Sequence, residues 1–277
     1  MPRGTAATDL LELGQRRHEY LTLLASGPCH KRDLIDDLED SRSTVDRAIE
    51  ALRDRGLVAR TADGAWTATT KGHVLKETVE RTCEAAAAIE TADDLLEHLP
   101  CDELVPPALF QDAVVEHADG PTPLAIAQRV LDNFAAADSV RGFAAADHET
   151  GIKDHVFDAV ICDDGFEFAY VVEASLAAEM AAAPDLPFDD LAGAPDATVS
   201  VYDGLPFGLL LADVDGETRM TLIVYDDSGV VRGQITTTDR GAIPWGEAVF
   251  EKYLAAGTDL GEWTPTSEPA GSGEPVD

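Results

Sequence analysis

Apolar residues recur with helical spacing from Thr8 to Ala25, at Leu10, Leu13, Tyr20, Leu21 and Leu24, and the following Ser26-Gly27-Pro28 predicts a stop. A short second helix is predicted over His30 to Leu38, with Leu34, Ile35 and Leu38 on one face. Ser41 stands as a natural N-cap to a third helix whose buried stripe is Val45, Ala48, Ile49 and Leu52. Gly56 ends that helix. The run LVARTADGAWTATTKG then reads as two short strands around the turn Ala62-Asp63-Gly64. Between Gly72 and Leu99 there is no Pro or Gly and alanine is abundant, which predicts one long helix. Its apolar positions Val79, Ala86, Ile89 and Leu96 are a candidate seam for a second copy, the other reading being a helix that packs on its own domain. Pro100, Pro106 and Pro107 mark a boundary.

Beyond the prolines the periodicity alternates. Helices are predicted over Leu124 to Ala137, Thr150 to Val160, Leu176 to Met180 and Asp239 to Leu254. Strands are predicted at SVRGFAAA, FEFAYVVEA, TVSVYDG, FGLLLAD, MTLIVYD and VVRGQITT. That order predicts an α/β domain with a mixed sheet, α+β when the whole chain is considered. The organisation expected is 1–72, a connector 73–99, a larger domain 100–263 and a disordered tail 264–277.

Charge divides the chain in the same place. Of 277 residues, 53 are acidic and 20 basic, for a formal net charge of −33. Through Arg81 the chain carries 13 basic and 14 acidic residues, so nearly all the excess lies beyond it. Abundant carboxylate with only five lysines is the composition of a protein working in concentrated salt, where repulsion is screened within a few ångströms. A halophilic setting is expected, with an acidic protein of an ordinary cell as the alternative. The segment holding most arginines is the one suited to approach a polyanion, nucleic acid above all. No apolar run reaches the roughly 20 residues a membrane span needs, and a cytoplasmic location is expected. Cys29, Cys83, Cys101 and Cys162 are scattered without zinc-ligand spacing, and neither a metal nor any other cofactor is predicted.

The third helix has the chemistry of a DNA-reading element. Short hydroxyls and arginines at its N-terminal turn and outer face, Ser41, Arg42, Ser43, Thr44 and Arg47, are what a helix entering the major groove presents to base edges and phosphates. Arg32, Arg60, Thr67 and Lys71 complete the candidate DNA-binding set. Asp46 and the run DLIDDLEDS place carboxylates close to this face. Trp66 reads as a packing residue. The run STVDRAIEALRDRGLVAR, with the following DGAWTATTKG, resembles the third helix and wing of archaeal winged helix-turn-helix regulators, in which a Ser-x-Ser-Thr-Val-x-Arg helix, a Gly-Leu-Val exit and a Thr-x-x-Gly wing end recur together. From about Thr8 to Trp263 the chain resembles the haloarchaeal regulators related to the methanogenesis regulatory protein. The segments PLAIAQRVLDNFAAADSVRGF, VSVYDGLPFGLLLAD and AIPWGEAVFEKYL are similar to their C-terminal regulatory domain.

The resemblance implies a homodimeric, sequence-specific DNA-binding transcriptional regulator, with double-stranded DNA as partner and a small anionic effector or a protein partner sensed by the acidic domain. The alternative is an interaction adaptor that uses the winged helix without touching DNA. Arg141, His148, Tyr170 and Tyr202 are the candidate effector-binding residues, a structural salt bridge for Arg141 being the other reading. Asp147, His148, Glu149 and His155 past a strand end fit no hydrolase or deaminase spacing, and there is no P-loop or G-x-S-x-G elbow, so an enzyme is not expected.

Overall fold

The computed structural model describes residues 3–100, 105–118, 123–145, 160, 166–182, 191 and 193–265. Two compact units emerge, Met1–Ala86 and Ala87–Asp277.

The first unit runs α1 (Arg3–Arg16), α2 (His18–Ser26), α3 (Lys31–Leu38), α4 (Arg42–Asp54), β1 (Val58–Arg60), β2 (Trp66–Ala68) and α5 (Thr70–Thr91). The single helix expected over Thr8 to Ala25 is two. The polar run Gln15 to Glu19 offers no apolar anchor, Arg17 leaves helical geometry at φ −119° and ψ 25°, and the chain reorients until Tyr20, Leu21 and Leu24 are buried. Val45, Ala48, Ile49 and Leu52 of α4 are buried as their spacing predicts. Gly56, at φ +67°, ends α4 and turns the chain into β1. The strands pair antiparallel with Val58 opposite Ala68 and Arg60 opposite Trp66. Thr69 closes the hairpin: its Oγ1 donates to the Gly56 carbonyl at 2.8 Å and accepts from the Gly72 N–H at 3.1 Å, opening α5.

The division between the units falls within α5, ahead of the proline cluster. The expected helix from Gly72 to Leu99 is interrupted. It turns at buried Ala92 and resumes as α6 (Asp93–Leu96), because the turn lets Leu95 pack beside Gly233, where a Cβ would lie 2.8 Å from a Leu95 methyl. Val79 lies in the core of the first unit, 2% exposed, while Ile89 is 42% exposed. The proposed seam is therefore not one face: Val79 packs on its own domain.

The second unit continues with β3 (Val114–His117), α7 (Pro123–Ala135), β4 (Ser139–Ala144), β5 (Glu167–Glu173), α8 (Ala174–Ala182), β6 (Ala197–Tyr202), β7 (Gly208–Val214), β8 (Glu217–Tyr225), β9 (Val231–Thr237), α9 (Ile243–Ala256) and β10 (Thr258–Asp259). One eight-stranded sheet has the order β10-β6-β5-β4-β7-β8-β9-β3. β4, β5 and β6 are parallel, and every other pairing is antiparallel. This is the mixed sheet of an α/β fold. The sequence reading did not anticipate the edge strands β3 and β10, which at four and two residues are too short to show a period. The expected helix over Thr150 to Val160 and the tail beyond Pro265 lie outside the described residues, Val160 apart.

Alternation along the strands sorts the core into two layers. On one face Phe143 meets Phe207 and Tyr253 of α9, with ring centroids 5.5 and 5.1 Å away. The other face carries Val140, Phe168, Val172 and Leu210 beneath Val130 and Phe134 of α7 and Leu176 and Met180 of α8.

Candidate nucleic-acid interface

Ser41 caps α4. Its Oγ accepts from the Thr44 N–H at 3.2 Å and lies 3.0 Å from Ser43 Oγ and 2.9 Å from Thr44 Oγ1. The cap leaves the first turn of α4 at the surface, with Ser41, Arg42, Ser43 and Arg47 all exposed. Arg47 Nε donates to the Ser43 carbonyl at 3.1 Å, which anchors the guanidinium base and leaves both terminal nitrogens without a partner among the described residues. A fork held at one nitrogen can still bond two acceptors with the others.

What steadies this turn is a residue the sequence reading passed over. Lys31, at the start of α3, donates to Asp46 of α4 at 2.6 Å and lies 6.0 Å from the centroid of the Trp66 ring. Trp66 exchanges backbone hydrogen bonds with Cys29 at 2.9 and 2.8 Å, adding the chain before α3 to the wing sheet. Three elements thus meet at Lys31. The Lys31 hydrogen bond and charge hold the Asp46 carboxyl below its ordinary range, so the carboxylate nearest the candidate DNA face has its own counter-ion. No local signal links positions 31 and 46; only the packing of α3 against α4 joins them. Deeper in, burial first and then the Asp40 carboxylate, to which its hydroxyl donates, push the Tyr20 phenol up to about 12.

The other candidates divide. Arg32 is 82% exposed beside Asp33, and Arg60, exposed on the wing, donates from Nε to the Gly64 carbonyl at 3.2 Å. Thr67 Oγ1 points at the Leu24 carbonyl, 3.4 Å away, and ties the wing to α2. Lys71 Nζ donates to the Arg55 carbonyl at 2.6 Å, past the C-terminal end of α4 and so at the opposite end from Ser41. For Thr67 and Lys71 the structure shows bonds within the fold.

In the second unit Arg141 pairs with Glu247 at 3.2 Å and Asp213 at 3.7 Å. Burial works to raise the Asp213 carboxyl, but hydrogen bonds from Thr218 and Ser139 and the Arg141 charge outweigh it and leave it lowered. Tyr202 stacks edge-on against Tyr253, centroids 5.3 Å apart. Tyr170 belongs to the other layer, stacked on Phe168 at 5.3 Å. Arg141 and Tyr170 sit one register step out of phase, on opposite faces of the sheet, so they line no common pocket. His148 and the acidic cluster around it lie outside the described residues. Among the described residues no group of His, Cys, Asp and Glu is arranged to hold a metal.

Fold and surface together define a winged helix-turn-helix domain joined to an α/β domain. Residues 5–93 match the family model described as the HVO_A0261 N-terminal domain, and residues 123–256 match the middle domain of the methanogenesis regulatory protein FilR1. The chain carries both domains and belongs among the archaeal transcriptional regulators. No curated protein matches it significantly. Among solved structures, TrmBL2, an archaeal chromatin protein, is 13% identical over 91% of this chain and 98% of its own, with a TM-score of 0.41. HmgR of Pseudomonas aeruginosa is 13% identical over 92% and 98%, at 0.25. The calicheamicin-biosynthesis methyltransferase CalO1 is 16% identical over 74% and 67%, at 0.23. Superposition at these scores is loose and carries no functional weight.

Proposed function

We propose that this chain is a homodimeric, sequence-specific regulator whose α4 reads the major groove and whose acidic domain senses a small ligand or a partner. The observation that carries the DNA-reading half is the first turn of α4: a capped helix end presenting Arg42, Ser43 and Arg47 to solvent while the opposite stripe is buried. Arg32 and the wing residue Arg60 extend the same contact to phosphates. In concentrated salt the counterion-release part of binding is small, which places the weight on hydrogen bonds to bases. A dimer would present two recognition helices to half-sites about one helical turn apart. No described helix is long and apolar enough to cross a membrane, and the proposed site of action is the cytoplasm. The role is regulatory rather than catalytic.

The test is a footprinting titration at molar KCl with fragments from the chain's own promoter region. Arg47→Ala and Arg42→Ala should each weaken specific binding by roughly 1 to 3 kcal/mol and leave the melting temperature unchanged. Binding that is absent in the unaltered chain would favour the adaptor reading, in which the winged helix docks on protein. Binding that ignores both substitutions would take α4 out of the base-reading role.

A further inference from the structure

On the layer facing α7, the apolar core gives way to a polar hollow of about 450 Å³ between α7 and the strands β8, β9 and β3. That volume lies within the range of small-molecule sites. Its walls include Arg129 and Asn133 of α7, Glu116 of β3, Arg219 of β8, and Gln234 and Thr236 of β9.

Two of these side chains are not satisfied by the fold. Gln234 is 1% exposed. Its Nε2 donates to Glu116 Oε2 at 2.8 Å, which fixes the other end of the amide as the acceptor, and that Oε1 is buried with no hydrogen-bond partner among the described residues. An acceptor left so forfeits its hydration with no return. Among the described residues Arg219 has one bond, from Nη1 to the side-chain Oδ1 of Asn133 at 2.5 Å, and no carboxylate pairs with it. Arg129 and Glu116 are paired at 2.9 Å. Among the described residues the hollow thus offers a cation without a direct carboxylate partner and an orphan acceptor. The register separates them: Arg219 lies one step beyond the Met220–Thr237 pair, four residues from Gln234, or about 13 Å between backbones before the side chains reach inward. Asp112, which the register of β3 on β9 brings level with Arg219, and Asp132, next to Asn133, also line the hollow and disfavour a second negative charge there.

We infer that this hollow binds a small monocarboxylate carrying a hydroxyl or ammonium group at its far end, the carboxylate on Arg219 and the donor on Gln234 Oε1. The inference rests on the reading of this domain as a sensor and supplies the site that Arg141, Tyr170 and Tyr202 do not form. Thr236, between the two poles, contributes a further hydroxyl. The guanidinium meets the carboxylate as a fork, and the donor satisfies the amide oxygen that the fold leaves open.

Three probes of one length separate the contributions: 4-hydroxybutyrate, 4-aminobutyrate and butyrate. Saturation-transfer NMR on the full chain at molar KCl should show the hydroxy or amino acid binding, with butyrate at least about ten-fold weaker for want of the donor. Arg219→Met should abolish binding of all three. Gln234→Met should erase the preference over butyrate; it removes the unsatisfied acceptor together with the Nε2 bond to Glu116, and a melting curve that stays cooperative shows that the fold is kept. No transfer from any probe overturns the site, as does transfer that survives Arg219→Met or a preference that survives Gln234→Met. DNA binding by the unaltered chain is scored in parallel. Specific DNA binding without probe binding removes this site and leaves the regulator standing; probe binding without DNA binding does the reverse.

Discussion

A Cβ at position 72 would lie 2.1 Å from the Leu57 carbonyl oxygen, a distance no pair of such atoms tolerates. The Thr-x-x-Gly signature at the end of the wing has this physical basis. Thr69 fastens the exit of α4 to the start of α5, and Gly72 lets α5 lie directly on the backbone leading into β1. Gly72→Ala should therefore destabilise the first unit by at least about 2 kcal/mol, since relief requires the helix to move rather than a side chain to turn. Thermal melting of the variant checks this, and an unchanged midpoint would show that α5 shifts without cost. Asp46 makes a related point about single residues. Its position on α4 argues against phosphate contact until Lys31 is seen beside it.

Elements answer a different question, which is where a second copy could dock. α5 is 22 residues long, and its inner positions Leu75 and Val79 are consumed by the core of its own domain. Val74 and Ile89 remain exposed, at 62% and 42%. If the dimer is formed on the outer side of α5, Ile89→Asp buries a charge from each copy at one interface, a cost of several kcal/mol. The dimer should dissociate in light scattering at high salt, the winged helix should keep its melting temperature, and specific DNA affinity should fall with no DNA-facing residue altered. An Ile89→Asp chain that stays dimeric would put the seam in the α/β domain.

At the scale of the molecule, charge is the dominant physical fact. The winged-helix region is nearly neutral, and almost all of the net −33 lies beyond it. At 0.1 M salt the screening length is about 10 Å, longer than the spacing of neighbouring surface carboxylates, whereas at 1 M it is about 3 Å. Diluting KCl from molar to physiological concentration should therefore lower the melting temperature of the acidic unit. The winged-helix unit should respond far less. Melting followed separately for the two units decides this, and an acidic unit indifferent to salt would remove the halophilic interpretation.

Periodicity and composition determined a great deal. The buried stripe of α4, the Ser41 cap, the wing hairpin, the strands β4 to β9 and the asymmetry of charge are local or additive properties, written in residues close together along the chain. Tertiary structure decided what depends on two distant segments meeting. Arg141 and Tyr170 sit on neighbouring strands and read as one site, yet a single step of register sends them to opposite faces, one into a salt bridge and the other into the core. Lys31 finds Asp46 only because α3 and α4 pack, and Gln234 meets Glu116 only because β3 returns across more than a hundred residues to the edge of β9. Side-chain period is visible in sequence, but pairing and register are set by the energy of the whole sheet.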